Sequence, residues 1–65
     1  MELTYTQELL MNGLDLFGVE KDAIVLILTA LQKEKQMEEL MQYMVNNRTA
    51  TQEQILLKMV EISEK

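Results

Sequence analysis

The stretch Asp22-Ala-Ile-Val-Leu-Ile-Leu-Thr-Ala-Leu31 decides the fold, because as a helix it is apolar nearly all the way round. At about 100° per residue, Ala30, Ala23, Ile27, Leu31, Ile24 and Leu28 cover one broad face. The polar wedge opposite is narrow, holding Gln32, Thr29, Asp22 and Lys33, with Val25 inside it and Leu26 on its edge. A helix packed on one side needs only a stripe, whereas one that is apolar all round is buried on several sides. The segment Ile24-Val-Leu-Ile-Leu28 also suits a strand, and periodicity alone does not separate a buried strand from a buried helix. Two observations favour the helix. The run continues through Ala30 and Leu31, both strong helix formers, and no second strand-like run exists to pair with it. A membrane span needs about 20 apolar residues, and this short run is flanked by Glu20, Lys21, Asp22, Lys33 and Glu34.

Outward from that segment the chain reads as amphipathic helices laid against a central one. Upstream, Thr4 and Gln7 have the spacing of a capping box, followed by Leu10, Leu14 and Phe17, with Leu9 and Leu16 broadening the stripe. Asn12-Gly13 is a turn signal. A helix running through it to Leu16 bears a cost of about 1 kcal/mol for glycine against alanine. Gly18 then stops that helix in the left-handed region, with Val19 folding back on Leu14 as in a Schellman end.

Downstream, Gln32-Lys33-Glu34-Lys35 contains no Gly or Pro, yet the apolar phase changes there. The next stripe is Met37, Leu40, Met41, Met44 and Val45, at the spacing of a core-facing helix. A tight corner near Gln32–Glu34 follows. Asn46 or Asn47 is expected to end this helix in the left-handed region, and Thr51 with Gln54 forms a second capping box. The last helix carries Ile55, Leu56, Met59, Val60 and Ile62 on one arc with Leu57 outside it, and Ser63-Glu64-Lys65 frays. The expected architecture is all-α: one domain spanning residues 1–65, with four short helices over 5–16, 20–31, 34–46 and 52–63 around the central apolar one.

Composition narrows the function. With 65 residues and no cysteine, the chain lies in the size range where one core rarely yields more than ~3–5 kcal/mol without a disulfide, a metal or oligomerisation. No His and no Cys remove imidazole bases, thiol nucleophiles and the usual metal ligands. The only serine, Ser63, has no base to activate it, and Gly13 and Gly18 cannot make a glycine-rich phosphate loop. Glu34, Glu38 and Glu39 read as a solvated face, with Lys35 and Glu39 spaced as a helical ion pair. No enzyme, metal or cofactor is expected.

Net charge of −5 and pI ≈ 4.5 disfavour nucleic acid and anionic membranes. With no signal-peptide pattern at the N-terminus, the default is a cytoplasmic protein. Val25, Leu26 and Leu57 remain once each helix has buried one face, and Tyr43 lies at a stripe edge. These four are the expected interface, and Val25 with Leu26 points to a homodimer. Met37, Met41 and Met44 share a face that reads either as ordinary core filling or as an adaptable groove for a partner helix. The expectation is a non-catalytic protein–protein interaction module. The alternative is a helix-turn-helix module whose Thr49, Thr51, Gln52, Gln54 and Lys58 meet DNA, although Glu53, Glu61 and Glu64 on the same helix repel phosphate.

Overall fold

The computed structural model describes residues 3–64. Their helices are α1 (Tyr5–Leu16), α2 (Lys21–Ala30), α3 (Glu34–Asn46) and α4 (Gln52–Ser63), with no strand among the described residues. The chain is an all-α bundle. Contacts join α1 to α2 and α3, and α4 to α2 and α3, so the helices close a ring in the order 1-2-4-3. No helix among the described residues is long and apolar enough to cross a membrane.

The helix starts are set by side chains. Thr4 Oγ1 accepts from Gln7 N–H at 3.2 Å while Gln7 Oε1 accepts from Thr4 N–H at 2.9 Å. Thr51 and Gln54 repeat the arrangement at α4, at 3.2 and 2.9 Å. Each box satisfies two amide donors that a helix start leaves without intrahelical partners. The start of α2 is satisfied from a distance: Glu20 N–H donates to Gln52 Oε1 of α4 at 2.8 Å. At the start of α3, Gln36 Oε1 accepts from Lys33 N–H at 3.2 Å.

The ends are set by backbone. Gly18 has φ 79°, and Val19 N–H and Gly18 N–H reach back to the Leu14 and Asp15 carbonyls, both at 3.0 Å. That pair of bonds is a Schellman motif, and Val19 and Leu14 are both buried. The corner after α2 falls at Leu31–Lys33, with Leu31 itself fully buried. Helix α3 ends differently from the expectation. Asn47 sits at φ −134°, and no non-glycine residue among those described has positive φ. Its Nδ2 donates to the Tyr43 carbonyl at 2.8 Å, and its own carbonyl accepts from Ala50 N–H at 2.9 Å. With its side chain capping the last turn, no left-handed residue is required.

At the other terminus Ser63 is the last helical residue and its Oγ donates to the Val60 carbonyl at 2.9 Å. Lys65, the end of the expected frayed tail, lies outside the described residues.

One apolar core fills the ring. Leu10 and Leu14 enter from α1, Ala23, Ile24 and Ile27 from α2, Met37, Leu40 and Met44 from α3, and Ile55, Met59 and Ile62 from α4. No polar or charged side chain among the described residues is buried. Each helix supplies a stripe only two or three residues deep, narrower than the sequence implies. Leu9, Leu16, Val45 and Val60, expected on the buried stripes, are therefore exposed. The reason is angular. Leu16 follows Leu14 by two residues, about 200° round the helix, and Leu14 points into the core. Helix α2 occupies the same kind of place in the ring as the other three, packing on α1 and α4.

Candidate interaction surfaces

Closing the ring leaves two apolar surfaces on opposite sides of the bundle. The first lies on α2 and α4. Val25 is 62% exposed and Leu26 53%, standing outward once Ile24 and Ile27 have entered the core. Ile24 and Val25 border a hollow against Met11, Asn12 and Asp15 of α1, so this flank of α2 faces α1. Leu26, a further ~100° round, lies on the flank towards α4. On α4, Leu57 is 66% exposed and Val60 is also exposed. Gln52 reaches the start of α2 and Lys58 meets α3, which puts Val60 on the α2 side. Charged residues of both signs border this surface. Lys21 and Asp22 sit at the start of α2, Lys33 just past its end, Glu53 and Glu61 on α4 and Glu64 just past its end, all exposed.

Three of the four residues expected at an interface are divided between two hollows. Tyr43 shares a shallow one with Leu57, Gln54, Lys58 and Glu61. There Lys58 Nζ stands 5.6 Å from the Tyr43 ring centroid and 3.2 Å from Glu61 Oε1, a cation–π contact and an ion pair on one cation. Val25 borders the α1–α2 hollow instead. Leu26 borders neither and lies between α2 and α4.

The second surface is a trough of about 740 Å³ between α1 and α3. Leu9, Gly13 and Leu16 of α1 and Met41, Met44 and Val45 of α3 line it, and Arg48 after α3 is the one charged residue of the lining. The two helices run in the same sense. Thr6 Oγ1 donates to Glu34 Oε1 at 2.9 Å near both their starts, and Gly13 meets Met44 further along both. The terminal methyl of Met44 lies over Gly13. Of the three methionines that share a face of α3, Met41 and Met44 border the trough, although Met44 is largely core. Met37 is buried, against a separate hollow near Thr4 and Gln32.

Leu9, Leu16 and Val45 were hidden from sequence reasoning because their spacing matches the core positions beside them. The available signal was excess. Five apolar residues on α3 and five on α1 are more than a ring of short helices buries.

Three of the polar residues that suit a DNA-reading helix have other uses here. Thr51 and Gln54 cap α4 and Gln52 holds the start of α2. Thr49 is exposed in the α3–α4 loop. Among the described residues no cluster of three or more carboxylates, histidines or cysteines is placed to hold a metal ion. No protein-family model, no curated protein and no solved structure matches the chain.

Proposed function

We propose that this chain is a non-catalytic protein–protein interaction module that pairs with a second copy of itself through the outer face of α2 and α4. The observation that carries the reading is the exposure of Val25 and Leu26 on the most apolar helix of the chain. Charge supports self-pairing. In a two-fold interface the same patch meets itself, and with the axis running along the helices α2 of one copy faces α4 of the other. Lys21 and Lys33 at the two ends of α2 then approach Glu53 and Glu64 at the two ends of the partner's α4, and opposite signs meet. Size supports it too. A stable interface covers roughly 800 Å² per partner, a substantial part of a 4783 Å² surface. It therefore needs the whole outer side of a helix pair, and exposed Leu57 and Val60 add apolar surface on α4.

The absence of catalysis rests on the residues themselves. The chain has no histidine or cysteine, and the Ser63 hydroxyl is bonded to the backbone at the end of α4. Leu26→Asp or Val25→Asp is expected to convert the dimer to monomer. A variant that keeps the wild-type mass and melting temperature overturns the interface.

A further inference from the structure

We infer that the α1–α3 trough binds a free anionic amphiphile, a linear alkyl carboxylate whose head meets Arg48 and whose tail lies along Leu9, Leu16, Met41 and Val45. The inference goes beyond self-pairing, which uses the other side of the bundle. Its basis is the make-up of the lining: apolar side chains with a single cation that lacks a partner among the described residues.

Leu9, Leu16, Phe17, Met41 and Val45 turn apolar surface to the trough. Leu16 is 86% exposed, more than any other apolar residue the structure describes. Arg48 is the one charged residue of the lining, and with Thr49 it follows the end of α3. It is exposed and makes no hydrogen bond or ion pair with the described residues. Leu9 and Met41 come earlier along the two helices, which run in the same sense, so the lining passes from apolar to cationic.

A molecule with one anionic end and an apolar body matches that lining part for part. Arginine receives a carboxylate through two parallel N–H donors, and the tail covers side chains that otherwise stand in water. Ligand sites are clefts of roughly 300–1,000 Å³ with mostly apolar walls and a few placed polar groups, and the trough holds about 740 Å³. Leu9 to Leu16 is two turns, ~10 Å along α1. About eight carbons of an extended chain span that distance, from C–C bonds of ~1.5 Å. A partner helix is the poorer match, because only Arg48 and Thr49 of the lining offer partners to the polar rows beside its apolar stripe. The net charge of −5 repels an anionic bilayer, which favours a free molecule over a membrane lipid.

The test uses the full chain and the linear carboxylates from hexanoate to tetradecanoate, each below its micelle-forming concentration. Calorimetric titration gives affinity and stoichiometry, and amide shifts in ¹H–¹⁵N spectra give the location. One carboxylate per chain is expected, shifting the amides of Leu9, Gly13, Leu16, Met41, Val45 and Arg48. Affinity should rise about two- to fourfold per added methylene up to decanoate. Beyond decanoate it should level off, because the tail outruns the walls. Decylammonium should bind at least about tenfold more weakly than decanoate. Arg48→Gln is expected to weaken decanoate by about tenfold or more while leaving decanol within about twofold. A double variant, Leu16→Ser with Val45→Ser, changes no charge and touches no buried residue. Its amide spectrum should show the fold intact, with decanoate and decanol both weaker by about tenfold.

Equal or tighter binding of decylammonium, shifts centred elsewhere, or an Arg48→Gln loss as large for decanol as for decanoate would each overturn the inference. Unchanged affinity in the double variant would overturn it too, and would reveal charge attraction alone. Affinity that climbs undiminished to tetradecanoate would mark partition onto apolar surface at large, with the same consequence. Trough amides that shift on diluting the chain by itself would assign the trough to a second copy. Sedimentation with phosphatidylglycerol vesicles, lost in Arg48→Gln, would assign it to a membrane. Displacement of decanoate by a leucine-striped helical peptide at lower concentration would assign it to a partner helix. Each of these three overturns the free amphiphile. Leu26→Asp is expected to bind decanoate as the wild type does. Failure of the α2–α4 interface, read in mass, is thereby separated from failure of the trough, read in titration.

Discussion

The terminal methyl of Met44 lies 3.4 Å from the point a Cβ on Gly13 would occupy. Glycine inside a helix costs about 0.5–1 kcal/mol against alanine, and here a methionine of α3 lies over the bare backbone. The space is nonetheless sufficient for a methyl group, since 3.4 Å is van der Waals contact with the flexible end of a side chain. Gly13→Ala is therefore expected to stabilise the fold by about 0.5–1 kcal/mol, raising the melting temperature by several degrees in calorimetry. A lower melting temperature would mean that Met44 cannot yield.

Gly18 is the opposite case. Nothing lies within 4 Å of a Cβ added there, but its φ is +79°. Any cost of substitution is thus backbone strain rather than crowding. Gly18→Ala should destabilise by about 1–2 kcal/mol, seen as a lower urea midpoint with unchanged slope. Equal stability of the two chains would show that the Schellman end had been replaced by another turn.

Gln52 ties two helix starts together, lying in the first turn of α4 while accepting from Glu20 N–H at 2.8 Å. Gln52→Leu removes that acceptor and should cost about 0.5–1.5 kcal/mol. Thr51→Ala removes the cap of α4 and should cost about 1 kcal/mol. Protection of the Glu20 amide in hydrogen exchange separates the two, because only the leucine variant should expose it. Loss of protection at Glu20 in neither variant would remove Gln52 from this role.

The helices were legible in the sequence because their signals are local. Both threonine–glutamine boxes, the Gly18 stop and the change of apolar phase after Leu31 act within a few residues. Three of the expected spans match the observed ones, and α2 differs only because Glu20 and Leu31 are its caps rather than its ends. Burial was less legible. Leu9, Leu16, Val45 and Val60 have the spacing of core residues, but which flank of a helix is covered depends on the ring order 1-2-4-3. That order arises from non-local contacts. Val25 and Leu26 stood out in sequence because they fall in a polar wedge, whereas the trough residues are continuous with the core stripe. The Gln52–Glu20 bond, spanning 32 residues, had no local signature either.

Leu14 and Leu16 are two residues apart, yet one is fully buried and the other 86% exposed. Leu14→Ala should cost about 2–5 kcal/mol through lost burial and the cavity left behind. Leu16→Ser should stay within about 0.5 kcal/mol of wild type. Denaturant melts of the two variants give the comparison directly, and similar losses would mean that Leu16 is covered in solution.

Sedimentation equilibrium of the wild-type chain and of Leu26→Asp across a wide dilution series is the most direct test of self-pairing. The wild type should show a mass near twice 7.6 kDa that falls towards 7.6 kDa on dilution, with Leu26→Asp at 7.6 kDa throughout. A wild-type chain that stays folded at 7.6 kDa at the highest concentration would contradict pairing through α2 and α4.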